Sequence, residues 1–437
     1  MPEQEVIFFD YIENWEQAMT WLVLFAVLFS MISGKIRYDL TAFGGLLLLG
    51  VLGLKEPSDL FSGFSSPALF TIISVLVMSA GIVESGLFSG FGKKIAVRAH
   101  KHQNQIFALF ISTGLLSAFM NNVGAIGIIL PTAKRMAQRA KIPQAVFGIP
   151  IVYASILGGS ITLIGTASNL IVATYRLDAF GESFRMFDFS FHGLAMLFSG
   201  IFVLFICHIC GFRPIENLKL NNNIRKTEEK ETIADNAIPR DRKKSLIILF
   251  TLIPIIILTG VGVIHPSIAF GIITIIWIFS GVLAYKTALK NINIPIIIFL
   301  GSMFGISDVL KETGALNAAV NIITPVFSLL PPFLLILVFL FVTAVFANIL
   351  DNSVSAVLMA PVAVALWGTG IVPFGVDALL MAVAAGASLG LVIPTHQATI
   401  VVMNSMNFPR KSFITTGAII ALLAGIFAAF IIYMVWR

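Results

Sequence analysis

Two short polar runs interrupt long apolar stretches of this chain, and their residue types suit ion binding. The first is Asn121-Asn122, inside an apolar stretch from 106 to 133. The second is Asp351-Asn352-Ser353, inside a stretch from 330 to 367. Asn122 and Asn352 each stand 9 residues before a proline, Pro131 and Pro361. Asparagine is a good N-cap, so Asn122 is expected to open a helix at its break. The free N–H groups and positive dipole end of that helix suit an anion. Carbonyls released by the break, with Asn and Ser oxygens, suit a small hard cation such as sodium. Capping alone is the other reading of each asparagine; two at matching positions favour a binding site.

A second interruption occurs in each half. Gly158-Gly159-Ser160-Ile161-Thr162 leads to Thr166, Ser168 and Asn169, and its counterpart runs from Ser388 through Ile393-Pro394 to Thr395, His396 and Gln397. Helix packing by small residues accounts for Gly158-Gly159, but not for the polar residues that follow. The candidate substrate-binding residues are therefore Asn121, Asn122, Thr166, Ser168, Asn169, Asn352, Ser353, Thr395, His396 and Gln397. Asp351 is an acid in mid-stretch, costly in lipid and functional by default; it holds a cation, takes up a proton, or caps the helix behind it. His396 hydrogen-bonds substrate, titrates, or packs. Glu84 and Glu312 lie at span ends and read as interfacial. Cys207 and Cys210 form a lone C-x-x-C without the second pair a zinc site needs, and read as small packing residues.

These breaks must be held at depth in a membrane. Of 437 residues, 58% are hydrophobic and 11% charged, against about 25% charged in a soluble domain; the mean hydropathy is +0.96. At about 20 residues per helical crossing, about ten crossings fit. The net charge of +6 then reflects basic loops that set orientation, not nucleic-acid binding. The first 17 residues carry five acids and no Lys or Arg, the wrong charge for a secretory leader, so the first apolar stretch is expected to stay as an anchor.

A charged stretch, 213–244, holds nine basic and six acidic residues and reads as a linker between two repeats, 1–212 and 245–437. Glu84-Ser85-Gly86 matches Glu312-Thr313-Gly314, and both polar breaks recur in the same order, with an offset near 230 throughout. With the acidic N-terminus outside, 23 of 28 Lys and Arg residues fall on the cytoplasmic side. The stretch 106–135 is basic at both ends and is expected to be a re-entrant hairpin opening inward. The hairpin 330–367 lies in a segment free of Lys and Arg and is expected to open outward. The expected fold is therefore an all-α polytopic membrane protein of two inverted repeats, with about ten transmembrane helices, two opposed hairpins and both termini outside.

These features resemble the divalent anion:sodium symporter family, within the ion-transporter superfamily of inverted-repeat carriers, over nearly the whole chain. The resemblance is carried by Gly63-Phe64-Ser65-Ser66-Pro67-Ala68, the two hairpin motifs, and the run from Gly158-Gly159 through Thr162-Leu163-Ile164-Gly165-Thr166 to Asn169. In that family each hairpin tip carries a Ser-Asn-Thr motif that binds sodium and a substrate carboxylate or sulfate. Here Asn121-Asn122-Val123 and Asp351-Asn352-Ser353 take those places. The resemblance implies a first sodium site from Ser117, Asn122 and Gly165. At the second tip Ala347 stands where Ser117 would, so it implies reliance on Asp351, Asn352 and backbone carbonyls. It also implies a homodimer whose transport domain moves like an elevator against a scaffold. Some relatives carry TrkA C-terminal-type regulatory domains, for which the 213–244 linker is too short. Val123 removes a hydroxyl and Asp351 adds a charge, which repels an anion unless it is protonated or paired. Sulfate, another small oxyanion, or cation exchange therefore gain ground over a dicarboxylate.

The expected function is secondary active transport in a bacterial cytoplasmic membrane. The mechanism would be sodium-coupled or proton-coupled symport of a small anion such as sulfate or a dicarboxylate, by elevator-type alternating access. A sodium/proton antiporter is the alternative, with Asp351 as its titrating group. No cofactor beyond the coupling ion is expected. An intramembrane enzyme is disfavoured, since no H-E-x-x-H pair occurs. A channel is disfavoured because two broken repeats suit alternating access.

Overall fold

The fold comes from a computed structural model, which describes residues 15–88, 102–209, 241–406 and 408–437. Among them are nineteen α-helices, one 3-10 turn and no strand. The first half contains α1 (Trp15–Ser33), α2 (Tyr38–Val51), α3 (Pro57–Leu60), the 3-10 turn Ser62–Ser65, α4 (Pro67–Glu84), α5 (His102–Ser117), α6 (Asn122–Ala140), α7 (Ala145–Gly159), α8 (Ala167–Phe180) and α9 (Ser190–Ile209). The second half contains α10 (Arg242–Val261), α11 (Pro266–Phe279), α12 (Tyr285–Asn291), α13 (Ile294–Glu312), α14 (Ala315–Phe327), α15 (Pro332–Ile349), α16 (Asn352–Gly368), α17 (Val376–Ala387), α18 (Gln397–Met406) and α19 (Arg410–Trp436).

Six helices, α1, α4, α10, α13, α15 and α19, are long and apolar enough to cross a membrane; seven more are apolar but have 10–17 residues. Both long apolar stretches with a polar middle are split at the expected breaks, α5 from α6 and α15 from α16. The small-residue stretches split likewise, α7 from α8 and α17 from α18. In lipid such a break is tolerated only where protein or a wet cavity covers its backbone; the chain at the α7–α8 break is buried, and at the other three it is buried or half-buried apart from Ile349, Ile393 and Gln397. One element was not anticipated. α14 buries Ala315, Leu316, Ala318 and Val320 in its first half, while Ile322 and Val326 in its second half stay exposed; its 13 residues are too few to span the bilayer and so do not stand out as a crossing. Of the expected linker 213–244, residues 213–240 lie outside the described residues. Asp241 accepts from the N–H groups of Lys243 and Lys244 and so starts α10 earlier than the hydropathy alone implies. Cys210, Lys93, Lys94, Arg98 and Lys101 also lie outside them.

The two halves pack reciprocally. α2 packs on α13 of the other half, and α11 on α4; the 3-10 turn packs on α13, and α12 on α4. Around the breaks, α5 packs on α7 and α15 on α17, while α8 reaches α16 and α17, and α18 reaches α6 and α7. Neither half closes its own core. α5 to α9 and α15 to α19 form one group, and α1 to α4 with α10 to α14 form a second. The groups meet chiefly where α4 touches α6 and α8 and where α13 and α14 touch α16.

Candidate functional site: four helix starts around one cavity

The four breaks release four helix N-termini, at Asn122, Ala167, Asn352 and Gln397, in two pairs each offset by 230 residues. All four line a single cavity of about 470 Å³. A helix start leaves its first four N–H groups without intrahelical partners and carries roughly half a positive charge. Three of the starts are capped by side chains. Asn121 Oδ1 accepts from Val123 N at 3.0 Å, Asp351 Oδ1 from Ser353 N at 3.0 Å, and His396 Nδ1 from Ala398 N at 3.2 Å. Thr166 precedes the fourth, its hydroxyl 3.2 Å from that of Ser168. The cap of α6 is thus Asn121, one residue before the expected Asn122, because Asn122 turns inward as the first residue of the helix.

Of the candidate residues, Asn121, Asn122, Gly165, Thr166, Asp351, Asn352, Ser353, Thr395, His396 and Gln397 line the cavity. Ser117, Ser168 and Asn169 do not. Asn169 lies behind the wall, donating to the carbonyls of Ser160 and Thr162 at 3.3 and 2.9 Å, and so clamps the chain between α7 and α8. Ser168 is fully buried. Ser117 supports the tip from behind: its hydroxyl lies 2.7 Å from Asn122 Oδ1 and 2.8 Å from the Ser155 carbonyl, either of which can accept its proton.

The first tip gathers oxygens. A Cβ at Gly165 would stand 2.3 Å from the Gly159 carbonyl and 2.9 Å from that of Ser117; one at Gly159 would stand 2.6 Å from Asn122 Oδ1. Only glycine lets these acceptors approach, and an oxygen-rich nest of this kind fits a hard cation such as sodium. The second tip is similar in shape and different in chemistry. A Cβ at Gly390 would meet Asn352 Oδ1 at 2.7 Å and the Ala347 carbonyl at 3.1 Å, but Ala347 supplies no hydroxyl. Asn352 is 3% exposed, and its Nδ2 has no partner among the described residues.

Sequence reasoning missed Asn348. It donates to the carbonyls of Ala344 and Leu389 at 2.8 and 3.0 Å, and its Oδ1 accepts from Val392 and Ile393 at 2.8 and 3.1 Å. One side chain thereby closes the second break. At the matching place in the first half stands Ala118, whose carbonyl accepts from Thr162 Oγ1 instead. The signal was a polar residue three positions before Asp351, masked by the stronger motif. Asn348→Ala removes four hydrogen bonds to the backbone, at about 1 kcal/mol or less each, although the Leu389 carbonyl keeps Leu391 N as a donor. It is expected to cost about 2–3 kcal/mol, read as a lower melting temperature of the purified protein, with Asn348→Asp recovering part of it.

The remaining wall comes from the second group: the α1–α2 connection with Arg37, Tyr38 of α2, Ile72, Val75 and Leu76 of α4, and Ile296 and Phe299 of α13. The Arg37 guanidinium grips Asp39 through two bonds of 3.1 and 2.9 Å. Asp351, Tyr38 and His396 all line this cavity. Among the described residues no three His, Cys, Asp or Glu side chains gather as a metal cluster.

Residues 26–386 match the family model of citrate transporters, CitMHS. Over 222 residues, half of this chain and 36% of the relative, the chain is 28% identical to the uncharacterized transporter sll0640 of Synechocystis sp.. It is 25% identical over 173 residues, 38% of this chain and 18% of the relative, to the probable sodium/sulfate cotransporter 3 of Chlamydomonas reinhardtii. The matched part of the chain thus spans about a third or less of the length of these relatives. The solved YdaH transporter of Alcanivorax borkumensis is similar in fold, with a TM-score of 0.59 at 14% identity over 89% of this chain and 87% of that one. The chain belongs to the citrate transporter family, whose members are membrane transporters and not enzymes.

Proposed function

We propose that this protein is a secondary active transporter that couples sodium, or protons, to the uptake of a small anion across a bacterial inner membrane. The observation that carries this reading is the convergence of four helix N-termini, in two pairs of equal offset, on one cavity beside a nest of carbonyl oxygens. The helix starts suit the anion and the nest suits the cation. The relatives named as sodium/sulfate cotransporters lend the same pairing of solutes.

The inverted arrangement, with hairpins α5–α6 opening inward and α15–α16 outward, is supported by contacts between residues that the charge rule puts on the same side. Lys55 pairs with Glu312 at 2.9 Å, Arg176 with Asp377 at 2.8 Å, and Phe180 meets Trp367 edge to face, all assigned outside. Asp241 N donates to the Ser85 carbonyl, both assigned inside. Gly34, Ile36 and Arg37 line the cavity and belong to a cytoplasmic loop in this orientation, so the cavity opens inward. The group α5–α9 with α15–α19 is the body that would move as an elevator. The other group is the scaffold, which would also hold a dimer, and both termini would lie outside.

One observation favours antiport as the second reading: the Asp351 carboxylate lines the cavity beside His396. Proteoliposomes separate the two. An inward sodium gradient is expected to drive accumulation of a labelled anion at least tenfold above a potassium control. A sodium-driven pH change without added anion, and no anion accumulation, would overturn symport in favour of antiport.

A further inference from the structure

We infer that Ser79 and Ser307 are matched positioning residues of the transport cycle. Ser79 holds the first tip in the inward-open form, and Ser307 takes the Asp351 N–H in the outward-open form. This rests on the carrier reading and the orientation given above, and names the side chains that hold each end of the movement.

Both serines stand five residues before a glutamate, Glu84 and Glu312, and so occupy the same place in the two halves. Ser79 lies on α4 and Ser307 on α13, both in the scaffold group. Among the described residues, two side-chain hydrogen bonds cross from the other group to the scaffold, and each ends on one of these hydroxyls. Asn121 N donates to Ser79 Oγ at 3.0 Å, and the Tyr175 hydroxyl donates to Ser307 Oγ at 2.8 Å. Both serines are buried. A buried polar group left without a partner is costly, so a slide between the groups must offer new partners for those it takes away.

The two bonds are not equivalent, and their difference measures a displacement. Ser79 meets the first tip itself, at the residue before α6. The residue in the place of Asn121 in the second half is Asp351, 230 positions on, yet Ser307 is bonded elsewhere. The Tyr175 hydroxyl that it accepts from lies 3.4 Å from the Val357 carbonyl. Ser307 is therefore level with Val357, six residues beyond Asp351 in α16. At the rise of an α-helix that is about 9 Å. α16 runs outward from its tip in the orientation above. Sliding the moving group outward by this distance brings the Asp351 N–H to Ser307 and withdraws Asn121 from Ser79. The direction agrees with a cavity that opens inward before the slide.

The test is disulfide trapping of the full chain in proteoliposomes without any anion, with Cys207 and Cys210 replaced by serine. Two cysteines bridge only when their Cα atoms come within about 7 Å. Ser307→Cys with Asp351→Cys is too far apart in the inward-open form, so its disulfide reports the slide. A dilute oxidant is expected to close this pair and, in a separate protein, Ser79→Cys with Asn121→Cys. Adding Ser79→Ala to the first pair should speed its closure about two- to tenfold, the effect of one hydrogen bond on a two-state equilibrium. Ser79→Thr, which keeps the hydroxyl, should leave the rate unchanged, as a purely space-filling role would not require. Ser307→Cys with Leu350→Cys replaces the first pair if Asp351→Cys fails to fold. No disulfide between position 307 and position 351 or 350 overturns the inference, as does closure at a rate that Ser79→Ala leaves unchanged. Either result leaves the carrier reading standing, because trapping needs no solute. Failure of that reading shows separately, as no sodium-driven accumulation by the parent chain, and would remove this inference with it.

Discussion

Asn352→Ala is expected to reduce transport at least 100-fold while leaving the melting temperature of the purified protein unchanged or slightly raised. The two effects part because of how this side chain is placed. A buried donor that has a protein partner costs stability when removed, whereas one without a partner has already lost its water, and its deletion relieves that cost. Asn352 is 3% exposed, its Nδ2 has no partner among the described residues, and it lines the cavity. Such a group is idle in the empty protein and useful only when a ligand oxygen arrives. Asn122→Ala should also abolish transport. Its stability cost is small, because the Ser117 hydroxyl that donates to Asn122 Oδ1 retains the Ser155 carbonyl as an acceptor. Sodium-driven uptake and thermal unfolding on the same preparations check both. Normal uptake by both variants would remove the helix starts as the binding site; a large loss of stability in Asn352→Ala would make it a structural residue.

What the sequence made legible is polar residues where an apolar stretch should continue. Asn122, Asn352, Thr166 and His396 stand out against hydrocarbon on their own, and all four line the cavity. Their register within the break was less legible, since two adjacent asparagines can each cap, and only backbone geometry assigns the cap to Asn121 and the inward place to Asn122. Asn169 carries the same polarity but spends it on the carbonyls of Ser160 and Thr162. Composition cannot separate a residue that serves a ligand from one that serves a broken backbone. The opposite wall was invisible for a different reason. Ile72, Leu76 and Phe299 sit in ordinary apolar helices, and apolar residues facing a cavity look the same in sequence as those facing lipid or core. The reciprocal packing of α2 on α13 and α11 on α4 brings them to the site, and that is a property of the two halves together.

Gly165→Ala is expected to raise the sodium concentration for half-maximal transport at least tenfold, or to abolish transport, with the protein still folded. The added methyl would stand 2.3 Å from the Gly159 carbonyl and 2.9 Å from the Ser117 carbonyl. Both are backbone atoms and cannot rotate aside. The chain between α7 and α8 must therefore shift by several tenths of an ångström and spread the oxygens that gather at the first tip. A cation held by several carbonyls at once loses each of those interactions with distance, whereas an anion at the helix starts depends on dipoles that decay more slowly. Sodium dependence should consequently suffer more than anion affinity measured at saturating sodium. Gly127→Ala provides the control. It lies in α6, a Cβ there meets nothing within 4 Å, and alanine is favoured over glycine in a helix by about 1 kcal/mol, so transport should be unchanged. Gly390→Ala tests the second tip: its methyl would press on Asn352 Oδ1 at 2.7 Å, a side chain that can give way. It should therefore disturb the anion more than sodium. If Gly165→Ala and Gly390→Ala shifted sodium dependence equally, the two tips would not divide cation and anion between them as their different chemistry requires.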